Sequence, residues 1–272
     1  MKRMQYFSLL VTGICLPVFA DPVLKVGTFQ SKGASLEQPS LVEGNKRVGL
    51  RELYGSMFAG QDFKIGVYAG KEEICRIYFL GSFRGSWGFP FKAIPGKEKI
   101  AIDRRKSTIS YCKEYQLPDK RIAQFRFTLA PEGPGRVRLS WDPGIPEKEL
   151  SNIPNFELKP VVELPSRYRE GGFRLPDAEF QFSDLEFLKQ RNGQEFPAYL
   201  GKISRLLFHA NDPAKRVEIT LPLCWGSVME RLAGGKVAVG TVQRNWAISN
   251  ERTILLDFGT GSVANSEEGS VP

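Results

Sequence analysis

The sequence predicts an all-β chain: an antiparallel β-sandwich architecture, as two sandwich domains or one large double sandwich, with very little helix. Three observations predict it. Apolar residues recur with period two along most of the chain, as where Ala123, Phe125, Phe127 and Leu129 alternate with Gln124, Arg126 and Thr128. The apolar runs are short and are separated by Gly- and Pro-rich turns. The regular alternation of strands with helices that a doubly wound sheet or a (β/α) barrel requires is missing.

Along the 272 residues, the first signal is a targeting one. Lys2 and Arg3 precede the apolar run Tyr6 to Leu16, Pro17 breaks it, and Val18-Phe19-Ala20 offers a signal-peptidase site before Asp21. A run of about eleven residues is too short for a bilayer core that needs about 20. Cys15 makes no lipoprotein signal, because bulky Ile14 precedes it. The expectation is a signal peptide over residues 1–20 and a soluble exported protein, periplasmic or secreted, with no transmembrane anchor after cleavage.

Strands then follow in order. Phe63, Ile65, Val67 and Ala69 alternate, Gly70-Lys71 turns, and Cys75, Ile77 and Phe79 return. Ile100 and Ile102 mark the next strand, and Asp103-Arg104-Arg105-Lys106 a hairpin turn toward Ile109, Tyr111 and Tyr115. The run ending at Leu129 turns through Pro131 to Gly135 into RVRLSW, with Val137, Leu139 and Trp141 inward and the arginines outward. Prolines at 154, 160, 165 and 176 suit an edge strand or an extended connection. A soft boundary near residue 165 divides a first sandwich domain, 21–165, from a second, 166–260, with 261–272 a flexible tail. In the second, strands centre on Phe180, Ile203 to Phe208, Ile219, Val239 and Leu256. Helix is expected at most over Ser183 to Gln190 and Ser227 to Leu232.

Composition narrows the chemistry. A net charge of +8, spread along the chain, suits solubility or an anionic surface of the cell envelope. No nucleic-acid motif accompanies it. After signal cleavage Cys75, Cys112 and Cys224 remain, without CxxC spacing. Cys75 and Cys112 are the possible disulfide, against buried thiols acting as small hydrophobes. His209 is the only histidine, which leaves no histidine-rich metal site and no HExxH protease. It is expected at the surface or in a turn. Neither a metal nor a cofactor is expected. Asp177, Glu179, Asp184 and Glu186 form the densest acidic group, read as a solvated strand face.

The stretch IYFLGSFRGSWGFPFKAIPG is the most distinctive. Its glycines argue against one long strand, and its aromatics suit either a loop capping the core or stacking on sugar rings. Phe83, Arg84, Trp87, Phe89 and, further on, Trp225 are therefore the candidate ligand-binding residues.

Asp212-Pro213-Ala214-Lys215-Arg216 before an amphipathic strand, and the closing Leu256-Asp257-Phe258-Gly259, resemble non-catalytic β-sandwich regions of large bacterial glycan-processing proteins. The resemblance covers about a third of the chain, implies an accessory role in binding or processing polysaccharide, and carries over no catalytic residue. The expected partner is a polysaccharide or another cell-envelope component. An envelope assembly or structural protein, and a carboxylate-dependent glycoside hydrolase or lyase, are the alternatives.

Overall fold

The computed structural model describes residues 25–29, 38–50, 64–84, 86–88, 91–154, 156–164, 171–174, 179–182, 187–189, 195–197, 200–201, 203–221, 226–232, 236–242 and 252–259. The expected signal peptide, 1–20, and the expected tail, 261–272, lie outside them. The first strands are β1 (Lys25–Phe29), β2 (Gln38–Glu43), β3 (Lys46–Leu50), β4 (Lys64–Ala69), β5 (Glu72–Phe83) and β6 (Ser86–Gly88). There follow β7 (Lys92–Asp103), β8 (Thr108–Gln116), β9 (Ile122–Pro131), β10 (Arg136–Asp142), the single helical turn α1 (Glu147–Leu150) and β11 (Glu157–Leu164). Next come β12 (Gly171–Arg174), β13 (Glu179–Gln181), β14 (Phe187–Lys189), β15 (Glu195–Pro197), β16 (Leu200–Gly201) and β17 (Arg205–Phe208). The last are β18 (Val217–Thr220), β19 (Gly226–Leu232), β20 (Lys236–Val242) and β21 (Thr253–Asp257).

All the described pairings are antiparallel, and two large sheets result. The first has the order β1-β2-β3-β4-β5-β11-β20-β19-β16, with β6 alongside β5. The second has the order β13-β12-β17-β18-β21-β10-β9-β8-β7, and β14 pairs with β15 apart from both. Every described strand before residue 165 lies together in each sheet, and every later one lies beyond it. The halves meet at two seams: Val161–Leu164 of β11 against Val237–Gly240 of β20, and Arg136–Ser140 of β10 against Thr253–Asp257 of β21. Both sheets run unbroken through these seams.

Alternation explains why the sheets stack. On β8, β9 and β10 every second side chain is buried, so each strand offers an apolar face that must be covered. Ile65, Val67, Ile77, Phe125, Phe127, Val137, Leu139, Val217, Ile219 and Leu256, all inward in the pattern, are at most 3% exposed. Aromatic rings join the two layers. Phe79 of the first sheet meets Phe127 of the second at 4.5 Å and Trp141 edge-on at 5.3 Å. Each such pair stabilises by about 0.5–1.5 kcal/mol beyond the area it buries. Turn chemistry agrees with the pattern too. The Asp103 carboxylate accepts from the Arg105 and Lys106 amides at 2.9 and 3.1 Å, closing the β7–β8 hairpin.

Several elements differ from the expectation. Ser227 to Leu232 is strand within β19, not helix, because it pairs along its length with β20. Of Ser183 to Gln190, residues 187–189 form β14, and 183–186 and 190 lie outside the described residues. The helix that does form, α1, follows Pro146 and carries Glu147 and Glu149 in its first turn, where acidic groups suit the helix dipole. Pro160 sits in a strand with neighbours on both sides. Pairing to β20 begins only at Val161, so the missing proline N–H falls outside that ladder.

The aromatic stretch also differs. β5 continues through Gly81 to Phe83 as one strand, because the glycine makes room for a ring rather than a bend. A Cβ on Gly81 would lie far inside contact distance of Cε2 of Phe91, and that ring is held by Phe125 at 5.2 Å and Phe156 at 5.7 Å. Gly81→Ala is therefore expected to destabilise the fold by about 1–3 kcal/mol, as overpacking does. Chemical denaturation checks this; an unchanged midpoint would show that the Phe91 ring yields freely.

Candidate functional site

The aromatic candidates do not make an open stacking surface among the described side chains. Phe83 is 3% exposed and belongs to the core, so it offers no face to a sugar. Tyr78, Phe79 and Phe91 are buried likewise. Arg84 is exposed, in a left-handed turn with φ 51°. Its amide donates to the Pro154 carbonyl at 3.0 Å, and its guanidinium lies 5.6 Å from the Phe83 ring. Trp87 lies on β6, but its side chain, Phe89 and Trp225 lie outside the described residues, as do Trp246, Asp177, Asp184 and Glu186.

Of the two readings of the cysteines, the structure has the thiols and not the bridge. Cys75 and Cys112 are both free. Cys75 faces the core at 0% exposure, and burial raises its thiol pKa well above the usual value, which keeps it protonated and inert. Cys112 alternates with the buried positions of β8 and is partly exposed. The two side chains therefore point to different environments. Cys224 lies outside the described residues.

His209 does occupy a turn, with φ 48°, but it is buried rather than at the surface. Its Nε2 lies 3.8 Å from the Glu72 carboxylate. That contact is part of a clasp between the halves, built on the Asp212 to Arg216 loop. Asp212 accepts from the Ala214 amide at 3.0 Å, which tightens the loop. Asn45 then donates to the Ala214 carbonyl at 3.1 Å, and Lys215 reaches Glu72 at 3.0 Å. Lys46 donates to the Pro213 carbonyl at 3.0 Å and also to the Phe258 carbonyl. One lysine of the first sheet thus holds two chain segments of the second half.

Above this clasp, the outer face of the second sheet carries two adjacent hollows. The larger, of about 520 Å³, is lined by Glu132, Arg136, Pro213, Arg216, Glu218 and Asp257 among others. It straddles the seam, since β10 belongs to the first half and β18 and β21 to the second. The smaller, of about 260 Å³, adds Arg174, Glu179, Gln181 and Arg205, and shares Arg216 and Glu218. The two resembling segments, Asp212 to Arg216 and Leu256 to Gly259, converge on the larger hollow. No single stretch of sequence announces this arrangement, because its residues meet only across strands. In the sequence, the outward Arg136 of RVRLSW, Glu179 and the two resembling segments each mark a part of it.

Charges in the trough are matched. Arg136 pairs with Asp257 at 2.9 Å, Arg205 with Glu218 at 2.9 Å, Arg216 with Glu218 at 3.7 Å and Arg174 with Glu179 at 3.4 Å. Glu218 and Asp257 stand directly opposite each other on neighbouring strands, a repulsive placement that these arginines offset. Glu218 is shared by two arginines, and the fourth lining carboxylate, Glu132, pairs with Arg138, so four guanidinium groups and four carboxylates line an open, charge-balanced trough. On the first sheet, a comparable row serves structure. Arg47 lies over the Tyr68 ring at 4.1 Å, and Arg76 bridges Glu73 at 2.6 Å and Glu163 at 3.5 Å. Arg47 and Glu163 there are largely buried.

Among the described residues no group of three or more His, Cys, Asp or Glu is placed to hold a metal ion, and no helix is long and apolar enough to cross a membrane. No family model, curated protein or solved structure matches this chain.

Burial raises the Glu43 pKa, opposed by the charge of Lys46, and lowers that of Lys46. A raised carboxylate pKa favours the fold below the ordinary glutamate range, and that contribution is lost as pH rises through the folded value. Wild type is therefore expected to lose stability relative to Glu43→Gln as pH rises above the ordinary range. Parallel stability–pH profiles would contradict this. Lys46→Met, which strips the donor from two carbonyls, is expected to cost about 2 kcal/mol by denaturation.

Proposed function

We propose that this chain is an exported, non-catalytic protein that binds a polysaccharide along the outer face of the second sheet, across the seam between its halves. The observation that carries the reading is the charge-balanced trough shared by Arg136, Arg174, Arg205, Arg216 and their carboxylates. Sugar hydroxyls both donate and accept hydrogen bonds, so alternating guanidinium donors and carboxylate acceptors suit them on both counts. A surface built for an anionic polymer would carry cations in excess, and the charges of this trough match instead. The favoured ligand is therefore a neutral, hydroxyl-rich glycan. Position supports the reading as well, because ligand sites favour clefts where structural units meet. Export rests on the N-terminal targeting pattern. The trough's acidic residues serve as acceptors held by arginine in this reading.

Arg216 lies in both hollows and is the residue to replace. A charge-assisted hydrogen bond contributes about 1.5–3 kcal/mol, so Arg216→Ala is expected to weaken glycan binding about tenfold or more. Its far-ultraviolet circular dichroism should be unchanged. Affinity for neutral glycans should vary little with salt, since no long-range steering is needed. A glycan array without hits, or binding undiminished in Arg216→Ala, would overturn the reading. Release of reducing sugars by the purified protein would make it an enzyme instead.

A further inference from the structure

We propose that β7, the edge of the second sheet among the described strands, pairs antiparallel with β7 of a second copy of this chain, in a register centred on Ala101. β7 ends the strand order of its sheet. Its pairing with β8 is irregular between Ala93 and Glu98 and regular from there to Asp103. The exposed large hydrophobic side chains among the described residues are Ile100 at 49%, Ile102 at 42% and Ile122 at 54%. Two of these lie on this one edge.

They also lie on one face. Ile100 stands opposite Tyr111 and Ile102 opposite Ile109, and Tyr111 and Ile109 are buried in the core. The apolar inner surface thus runs one strand past its cover. An open, apolar edge presents backbone donors and acceptors to any strand that fits. The opposite edge of the same sheet, β13, is only three residues long and offers much less.

The occupant follows from the sequence of the edge, Lys99-Ile100-Ala101-Ile102-Asp103. Centred on Ala101, an antiparallel self-pair sets Ile100 against Ile102 twice, which joins four isoleucines on the inner face. On the outer face Lys99 meets Asp103 twice, so the charges attract reciprocally. A slip of one residue would turn the isoleucines of the incoming strand to the polar face. An unrelated strand could satisfy the backbone but would not return both charge pairs. The symmetry is that of an isologous dimer.

The full chain, in a Cys112→Ser background, tests the register. Ala101→Cys places two thiols opposite each other across the axis, with Cβ atoms about 5 Å apart, and is expected to yield a disulfide-linked dimer on mild oxidation. Lys97→Cys would lie ~27 Å along the strands from its own copy, at about 3.4 Å per residue, and is expected not to cross-link. Sedimentation should show a concentration-dependent dimer for wild type. Ile100→Lys, at an exposed position, should lower its affinity about tenfold or more with unchanged circular dichroism. Wild type that stays monomeric through the concentration series, equal cross-linking at 97 and 101, or a dimer untouched by Ile100→Lys would each overturn the proposal.

Discussion

Two strand junctions hold this molecule to its shape. At one, β11 pairs with β20; at the other, β10 pairs with β21. Each converts what would be the raw edge of a half-sheet into a continuous ladder, and each lets its apolar face continue into the neighbouring half. Buried residues from both halves and both layers consequently form one cluster, from Leu41 to Phe258. Broken seams would leave β11, β10, β20 and β21 with unpaired backbone groups beside exposed apolar faces. Such groups are costly to bury and prone to stray pairing when open.

The same constraint places the polar chemistry. Since the sheets are continuous, the outer face of the second sheet passes over the junction without a gap, and Arg136 and Asp257 face each other across it. Behind that face the Asp212 to Arg216 loop is fastened to the first sheet by Asn45, Lys46 and Glu72. Lys46 is held in a buried setting because two backbone carbonyls accept hydrogen bonds from its ammonium group, the compensation a buried cation requires. A clasp beneath a trough gives the lining residues a fixed backbone, which is what a preorganised binding surface needs.

Much of the fold was legible because period-two alternation is a local signal. Phe125, Val137 and Ile219 each announced their inward direction from their own neighbours. The Asp103 turn was equally plain, since its side chain caps amides two and three residues away. What failed was non-local. Gly81 looked like a strand breaker, and only the Phe91 ring, folded back from beyond β6, shows why a glycine is wanted there. Phe83 read as a loop aromatic although it faces the opposite sheet. Pro160 sits safely in an interior strand because the second ladder begins one residue later. Within the trough, Arg136, Arg216 and Asp257 come from three distant stretches, and no spacing rule relates them. The Asp212 to Arg216 and Leu256 to Gly259 segments, which carry the sequence resemblance, are neighbours in the fold.

Continuity through the seams implies that the halves share their stability, and hydrogen exchange on the intact chain at graded denaturant measures this directly. Amides of β8 and β9 report on the first half and those of β17 and β18 on the second. Both sets are expected to lose protection together, at one denaturant concentration. Loss of protection in β17 and β18 while β8 and β9 remain fully protected would mean two independent sandwiches, and would contradict shared stability.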